Sequence, residues 1–392
     1  MAVDSTADEL MVWSRVLNAA EVKALYESSA ALAMAIRKLP PPVKEIEWTV
    51  KPDLVYLNYS DSVISPGQNF ACQVPVKNLI DRSITGKIRF RLLDLWEKPC
   101  GKEIVQEFSL EPQAATTVPV AFAPDKLGVF KIEAAVDCNG ASKKRDITSF
   151  ACMPPECPTK HPFFGNHVNF TTGMPELARR LGVTVNRVHD QTQYTWWNVM
   201  EPDRGQMKMA QDNLYQEAVK QDFDQMGEWF STPYWAVTYP DGTHPQKPAD
   251  IFTYPVGNVP SDMDAYRNYV RESVKRHPAI KEWCIWNEPF STFFFNAPAR
   301  DYVRLCAETY KTAKAVDPKL FIYAFVSEGL WGKAVLNEQI WNYSDGLTYH
   351  WYSEVGDWDA AIINIRSLRK LIGNYTKAEI PLLNSEGGLS NA

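Results

Sequence analysis

The sequence of 392 residues lacks any continuous apolar run of about 18 residues, the length that a transmembrane helix requires. No membrane partner is therefore predicted. It also lacks an excess of basic charge, because 41 Lys and Arg face 47 Asp and Glu and leave a net charge of −6. Since nucleic-acid-binding surfaces attract phosphates with Lys and Arg, this balance argues against a nucleic-acid partner.

Several motifs that hold cofactors or nucleophiles are also absent from the sequence. The six histidines show no His-Glu-x-x-His spacing, no glycine-rich phosphate turn follows a predicted strand, and Gly-x-Ser-x-Gly does not occur. We therefore predict no metal and no cofactor. The opening residues carry Asp4, Asp8 and Glu9 without a basic stretch and an apolar core, so no signal peptide is predicted there. Seven irregularly spaced cysteines leave free thiols and one disulfide as open alternatives.

What the sequence contains is typical of folded domains. Hydrophobic residues make up 45% and charged residues 22%, and the length predicts two or three domains. Aromatic residues reach 12% with 13 tryptophans, which indicates either flat apolar ligand surfaces or large cores.

The first 52 residues are predicted to precede the main domains. In the segment 1–37, a short strand at Glu9–Trp13 is followed by a helix. The stretch Asp8–Val22 resembles the last strand and trailing helix of laminin-G or concanavalin-like domains, and an ordinary helical cap is an equal alternative. The segment 38–52, with Pro40 to Pro42, is predicted to be a linker.

Residues 53–153 follow the two-residue alternation of half-buried strands. About seven short strands separated by Gly and Pro predict an immunoglobulin-like β-sandwich. Since no cluster of His, Asp and Glu occurs in it, we interpret it as an accessory domain. The clearest strands are Phe70–Val76, Lys87–Leu92 and Val129–Ala134.

In residues 158–392, apolar runs alternate with amphipathic helical stretches, which predicts β/α units and a parallel sheet. Seven strands are one fewer than a (β/α)8 TIM barrel has, and the chain extends six residues past Glu386, so we expect a barrel truncated after strand seven. A doubly wound open sheet is less favoured because its phosphate-binding turn is absent. The predicted strands are Phe163–Phe170, Val183–Asp190, Phe223–Ser231, Ile280–Glu288, Leu320–Glu328, Gly346–Tyr352 and Ile380–Glu386. The predicted helices are Pro175–Leu181, Asp212–Lys220, Met263–Arg276, Asp301–Val316 and Ala360–Leu371.

Polar residues gather at the carboxyl ends of these strands, where barrel active sites are built. Glu288 ends the fourth strand and Glu386 the seventh, so the two carboxyl groups are expected to face each other across the barrel mouth. Glycosidic bond cleavage needs such a pair, one acid to protonate the leaving oxygen and one carboxylate to attack or to activate water. Glu328, which ends the predicted fifth strand, is a rival carboxylate for which we favour a surface or subsite role.

These residues carry a resemblance to a known group of enzymes. Asn287-Glu288-Pro289 at the fourth strand, His350-Trp351-Tyr352 at the sixth and Glu386 at the seventh resemble the signature of glycoside hydrolase clan A, whose members are retaining (β/α)8 enzymes. The resemblance implies that Glu288 is the acid/base and Glu386 the nucleophile. It also implies supporting or substrate-binding roles for four further polar residues: Arg187, Asn287, His350 and Tyr352.

The resemblance covers roughly residue 158 to the end of the chain. The segments Ser231–Trp235 and Trp196–Pro202 are similar to family 39 β-xylosidase-like members, whereas family 5 shares the His-x-Tyr motif. The resemblance to clan A implies an oligo- or polysaccharide substrate and an extracellular or periplasmic location. Four tryptophans are candidates for stacking on sugar rings: Trp196, Trp197, Trp235 and Trp331. The alternative function is an inactive barrel fragment that binds carbohydrate as a scaffold module.

Overall fold

The computed structural model describes residues 46–48, 62–138, 141–155, 164–170, 174–239, 241–250, 259–354 and 358–390. The chain divides into two compact units, Met1–Met153 and Pro154–Ala392. The predicted segment 1–37 and most of the predicted linker 38–52 lie outside the described residues. Within the described part of the chain, no helix has the length and apolar character needed to cross a membrane.

The described residues of the first unit form two β-sheets. One has the strand order β1-β3-β6 and the other the order β2-β8-β7-β4-β5, and every pairing is antiparallel except that of β2 with β8. The strands are β1 (Ile46–Trp48), β2 (Val63–Ile64), β3 (Phe70–Asn78), β4 (Ile84–Asp94), β5 (Ile104–Leu110), β6 (Ala115–Phe122), β7 (Gly128–Cys138) and β8 (Ala141–Cys152).

Alternation along these strands places apolar residues of both sheets in one core. Val74 of β3, Ile88 of β4 and Ile132 of β7 are fully buried members of a single hydrophobic cluster. Two sheets that share a core form a sandwich. The six cysteines in the described residues are free thiols, so the disulfide alternative is not realised among them.

The second unit alternates strands and helices. Its strands are β9 (Gly165–Asn166), β10 (Val185–Arg187), β11 (Asp224–Trp229), β12 (Glu282–Ile285), β13 (Phe321–Phe325), β14 (Gly346–Glu354) and β15 (Leu382–Ser390). Its helices are α1 (Met174–Arg180), α2 (Trp197–Met200), α3 (Asp212–Lys220), α4 (Met263–Arg276), α5 (Ala299–Val316), α6 (Gly329–Asn337) and α7 (Trp358–Gly373). Short 3-10 helices lie at Tyr234–Ala236 and Ile340–Tyr343.

The seven strands form one parallel sheet in sequence order from β9 to β15. The sheet is curled, because residues of both edge strands, β9 and β15, line the same cavity. This architecture is that of a partial TIM-like barrel. The seven predicted strands are confirmed, although β9 and β10 are much shorter than predicted.

Helix α4 illustrates how the sequence fixes the position of a strand that carries site residues. The Asp262 carboxylate caps the helix by accepting a hydrogen bond from the Ala265 N–H at 3.0 Å. Tyr269 and Ser273, four residues apart, lie on its buried face. The Trp229 indole N–H of β11 donates to Ser273 Oγ at 2.7 Å, which fixes the end of β11 against α4.

Candidate active site

Side chains from five of the seven strands, or from the turns after them, converge at the carboxyl edge of the parallel sheet. Arg187 is the last residue of β10, Glu228 lies one residue before the end of β11, and Glu288 follows β12. His350 belongs to β14 and Glu386 to β15. Because parallel strands end at the same edge, residues that are far apart in the chain meet there.

The turns that follow the inner strands have unusual backbone geometry. Asp190, Ser231, Trp286 and Glu288 have φ angles of 50°, 65°, 68° and 41°. Non-glycine residues in this left-handed region cost on the order of 1–3 kcal/mol each and concentrate at functional sites. The turn after β12 is anchored by the Trp286 N–H, which donates to the Trp229 carbonyl at 3.0 Å. This backbone turn directs the Glu288 carboxyl group to its position.

The two predicted catalytic carboxyl groups meet at this edge. One oxygen of Glu288, one oxygen of Glu386 and one ring nitrogen of His350 all lie within 4.8 Å of one another. His350 Nδ1 is 2.8 Å from Glu288 Oε1 and 3.8 Å from Glu386 Oε2. The imidazole therefore lies between the two acids.

Two donors hold the Glu386 carboxylate. Arg187 Nη1 donates to its Oε2 at 2.6 Å, and the Tyr352 hydroxyl donates to its Oε1. Burial raises the pKa of Glu386, but His350, the Tyr352 hydrogen bond and Arg187 outweigh burial, so this pKa lies below its ordinary value. Glu386 is therefore ionised at neutral pH.

His350 is itself buried, and its ring edge packs on Phe325 with centroids 5.0 Å apart. Burial lowers the pKa of His350, and its hydrogen bond with Glu288 opposes that effect without reversing it. The imidazole is therefore neutral at pH 7, so its Nδ1 can accept a hydrogen bond from a protonated Glu288 or donate one to the ionised form, according to its tautomer.

Arg187 connects the nucleophile candidate to the rest of the site. Its Nη2 donates to Glu228 Oε1 at 2.6 Å and to Asn287 Oδ1 at 2.9 Å, while its Nη1 also contacts His167 Nε2 at 3.2 Å. The guanidinium group is almost completely buried. It links the ends of β10, β11, β12 and β15 in one hydrogen-bonded network.

Glu228 is a central residue of this network that the sequence analysis did not identify. Its side chain is fully buried, and His189 Nδ1 lies 2.7 Å from its Oε2. Burial raises the pKa of Glu228, but His189 and Arg187 lower it by more than burial raises it, and the resulting pKa is about 2. The available signal was a carboxylate near the carboxyl end of the predicted strand, on the same face as Met226.

The predicted tryptophans lie in different places from those expected. Trp196 and Trp197 are fully buried, and Trp197 stacks on Tyr269 with ring centroids 5.1 Å apart. Neither indole therefore offers an exposed face to a sugar in this structure, because the segment after β10 turns into helix α2, whose side chains are all buried. Trp235 is half-buried, and its indole N–H donates to the Glu201 carbonyl at 3.0 Å.

A cavity of about 390 Å³ opens beside Glu386. Its polar wall includes Arg187, Asp190, Tyr352 and Glu386, and its apolar wall includes Val185 and Leu383. Asp190 accepts a hydrogen bond from His167, which outweighs burial and lowers its pKa to about 2. The cavity combines an ionised carboxylate, hydrogen-bonding groups and apolar surface, the properties of a small-ligand site.

The trio of Glu288, His350 and Glu386 also has ligand types and spacing that a divalent metal accepts. However, the oxygens of Glu386 accept hydrogen bonds from Arg187 and Tyr352, and Glu288 is paired with His350. The guanidinium at 2.6 Å from Glu386 opposes a second cation by charge repulsion. The arrangement therefore fits a hydrogen-bonded acid pair better than a metal centre.

Comparisons with known proteins give matches among solved structures alone. No protein-family model matches the sequence, and no curated protein matches it. A β-glucuronidase from Bacteroides uniformis is 12% identical over 88% of this chain and 40% of its own chain, with a TM-score of 0.36. A glucosidase from Croceicoccus marinus is 14% identical over 56% of this chain and 48% of its own, with a TM-score of 0.42.

A further solved structure belongs to a GH2 β-galacturonidase from Eisenbergiella tayi bound to galacturonate. It is 15% identical over 88% of this chain and 56% of its own, with a TM-score of 0.34. This chain thus spans 40–56% of the length of the three proteins. None of the three is described as a family 39 or family 5 enzyme, so that assignment stays an expectation from the sequence.

Proposed function

We propose that this chain carries the active site of a retaining β-glycosidase, with Glu386 as the nucleophile and Glu288 as the acid/base. The observation that carries the proposal is that oxygens of the two carboxyl groups lie within 4.8 Å of each other. Retaining glycosidases separate their carboxyl groups by about 5–5.5 Å, whereas inverting enzymes leave about 6.5–9.5 Å for a water molecule. The separation therefore supports attack by a carboxylate rather than by water.

In the first step of the proposed reaction, Glu386 attacks the anomeric carbon while Glu288 transfers its proton to the departing oxygen. A bond forms between Glu386 and the sugar, and the glycosidic carbon–oxygen bond breaks. In the second step Glu288 removes a proton from water, whose oxygen displaces Glu386 from the sugar. Arg187 and Tyr352 support this cycle because they stabilise the Glu386 carboxylate before attack and after release.

The remaining residues of the site have positioning roles in this proposal. The Asn287 oxygen accepts from Arg187, which orients the amide so that its NH2 group faces away as a donor for a sugar hydroxyl. His350 holds Glu288 at 2.8 Å. From the resemblance to clan A, we extend the proposal to β-linked oligo- or polysaccharides as substrates.

The proposal is tested with aryl β-xyloside, glucoside, mannoside and galactoside substrates. We expect Glu386→Ala to abolish turnover, because no covalent intermediate forms without the carboxylate. We expect Glu288→Ala to lower kcat by about 10²–10⁴-fold, the usual contribution of a general acid/base. Azide, which needs no deprotonation to attack, should accelerate the Glu288→Ala variant and yield the β-glycosyl azide.

Glu328→Ala is the matched control, because this exposed carboxylate follows β13 but lies at the N-terminus of α6, as its N-cap residue. It should keep the full rate. Full activity in either Glu386→Ala or Glu288→Ala would contradict the proposal. Binding of an oligosaccharide by the wild type with no product released would instead favour a carbohydrate-binding module.

A further inference from the structure

The cavity of about 390 Å³ is the space that the sugar under attack would occupy. Glu386 lines this cavity, whereas Glu288 lies outside its lining. In a retaining reaction the sugar contacts the nucleophile, and the leaving group lies against the acid/base. If the proposed function holds, the charges of the cavity wall therefore act on the sugar and its substituents rather than on the leaving group.

The cavity wall carries more carboxyl groups than cationic groups. Among the described residues that line it, three have carboxyl groups: Asp190, Glu282 and Glu386. Arg187 is the one Lys or Arg among the same residues. Its Nε is buried, and its Nη hydrogens are directed to four acceptors: Glu386 and His167 at Nη1, and Glu228 and Asn287 at Nη2. The guanidinium group therefore has no unused hydrogen in the cavity with which to hold an anionic substituent of a sugar.

Asp190 is held in the cavity wall by His167. Because arginine can only donate hydrogen bonds, the 3.2 Å contact between Arg187 Nη1 and His167 Nε2 makes Nε2 the acceptor. The imidazole then carries its proton on Nδ1, which donates to Asp190 Oδ2 at 3.2 Å. This hydrogen bond lowers the pKa of Asp190 to about 2, so its carboxylate is ionised at neutral pH.

The Asp190 carboxylate can still contact a ligand. Its side chain is 61% exposed, and its other oxygen, Oδ1, is 3.5 Å from His189 Nε2, which is longer than an ordinary hydrogen bond. An ionised carboxylate only accepts hydrogen bonds. A sugar hydroxyl can donate to it, whereas a sugar carboxylate is a second acceptor of the same charge and is repelled at close range. The wall therefore distinguishes a hydroxyl group from a carboxylate.

We propose that Asp190 is a specificity-determining residue, which accepts a hydrogen bond from a hydroxyl group of the sugar and excludes uronic acid sugars from the site. This inference rests on the proposed function and narrows the substrates to β-glycosides whose reacting sugar carries no carboxylate. The ionised Glu386 adds to the same discrimination, because it lines the same cavity. The bonds that form and break are those of the proposed reaction, and no further reactant is required.

The test uses three aryl β-glycosides that share one leaving group and one ring configuration, and the set is made in the gluco, manno and galacto forms. At C6 they carry a hydroxymethyl group, a carboxylate or a carboxamide, which has the shape of the carboxylate without its charge. We expect kcat/KM of wild type on the carboxylate to be at least about 10²-fold below that on the carboxamide, because like charges repel at close range. Added NaCl should narrow this gap, because salt screens the repulsion.

Asp190→Asn isolates the charge of Asp190. Asn tolerates the left-handed backbone of this position, with φ of 50°, and its oxygen can still accept from His167. In this variant the ratio of kcat/KM on the carboxamide to that on the carboxylate should fall about tenfold. Asp222→Asn is the matched control, because Asp222 is also exposed and left-handed, with φ of 58°, but precedes β11 at the opposite edge of the sheet. It should leave the ratio unchanged.

The possible outcomes separate this inference from the proposed function. Equal rates of wild type on the carboxylate and the carboxamide would overturn the role of Asp190 while leaving the glycosidase proposal intact. A ratio that Asp190→Asn does not change would overturn it as well, because the discrimination would then come from shape or from other charges. Absence of turnover on every neutral and acidic glycoside would overturn the glycosidase proposal and this inference together.

Discussion

At the scale of single residues, the site depends on a buried cation that is shared among carboxylates. Arg187 contacts Glu228 and Glu386, each at 2.6 Å. A buried charge is tolerated when it is paired, and removing one partner commonly costs 3–5 kcal/mol. Glu228, which is fully buried, thus has a structural role that the partly exposed Glu288 does not have.

This contrast predicts opposite outcomes for the same chemical change at two positions. Glu228→Gln should lower the free energy of unfolding by about 3 kcal/mol, because it leaves the buried Arg187 short of one counter-charge. Glu288→Gln should change it by less than about 1 kcal/mol while removing activity. Urea unfolding at pH 7 and an aryl β-glycoside assay of both variants give the comparison. Equal losses of stability would show that the buried pair has no special role.

The site residues differ in how far the sequence could predict them. Arg187, His350 and Tyr352 were expected near Glu386, and the structure brings all three within 4 Å of it. Their strand-end positions and short motifs made this possible. The burial of Trp196 and Trp197 could not be predicted, because local sequence does not show which side of a turn an indole packs on. Glu228 was missed because its partners come from another strand.

At the scale of elements, the periodic pattern predicted most of the second unit. Helices α3 and α4 have the predicted bounds, Asp212–Lys220 and Met263–Arg276. Helix α6 was not predicted, since Gly329 and Gly332 lower helix propensity in its first turn. There Gly332 is required by packing, because a Cβ would lie 1.6 Å from the Ser327 carbonyl oxygen. Tertiary contact thus outweighs local propensity.

A glycine in β11 supports a second prediction at this scale. A Cβ on Gly227 would lie 2.5 Å from the Trp283 ring, which is itself stacked on Trp229 with centroids 4.5 Å apart. The ring has no free direction in which to move, so Gly227→Ala should cost about 1–3 kcal/mol of stability. Gly373→Ala, at the end of α7 with no atom within 4 Å of its Cβ, should be neutral or stabilising. Denaturant unfolding of both variants checks this, and a neutral Gly227→Ala would contradict it.

At the scale of the whole molecule, the groups with shifted pKa values make stability fall in acid. Glu228, with a pKa of about 2, stabilises the fold above the unfolded pKa of 4.5, and that stabilisation is lost as the pH falls through 2. His277 affects the stability of the fold at a higher pH than Glu228 does. It is buried against the rings of Tyr194 and Tyr215, with Nδ1 2.8 Å from the Ser273 carbonyl oxygen. Burial lowers its pKa from 6.5 to about 4.

The direction of the His277 effect follows from where protons bind. Above pH 6.5 the imidazole is neutral in both states. Between pH 6.5 and 4 the unfolded chain takes up a proton that the folded chain does not, so the free energy of unfolding falls. A shift from 6.5 to about 4 corresponds to about 3 kcal/mol once the pH is below 4. Burial also lowers the pKa of His350, so that residue adds a loss of the same sign as the pH falls below 6.5.

His277→Phe isolates the contribution of His277, because a phenyl ring fills the space between the two tyrosines but does not titrate. The free energy of unfolding of the variant, taken relative to that of wild type, should rise by about 2 kcal/mol as the pH falls from 7 to 4.5. This rise is expected whatever the difference is at pH 7. Asp212 and Arg276, the charged groups near His277, are present in both proteins and cancel in the difference. Urea unfolding followed by tryptophan fluorescence reports on the second unit, since ten of the 13 tryptophans lie beyond residue 153. A difference in stability that is independent of pH would contradict this, because it would mean that His277 has its ordinary pKa in the folded protein.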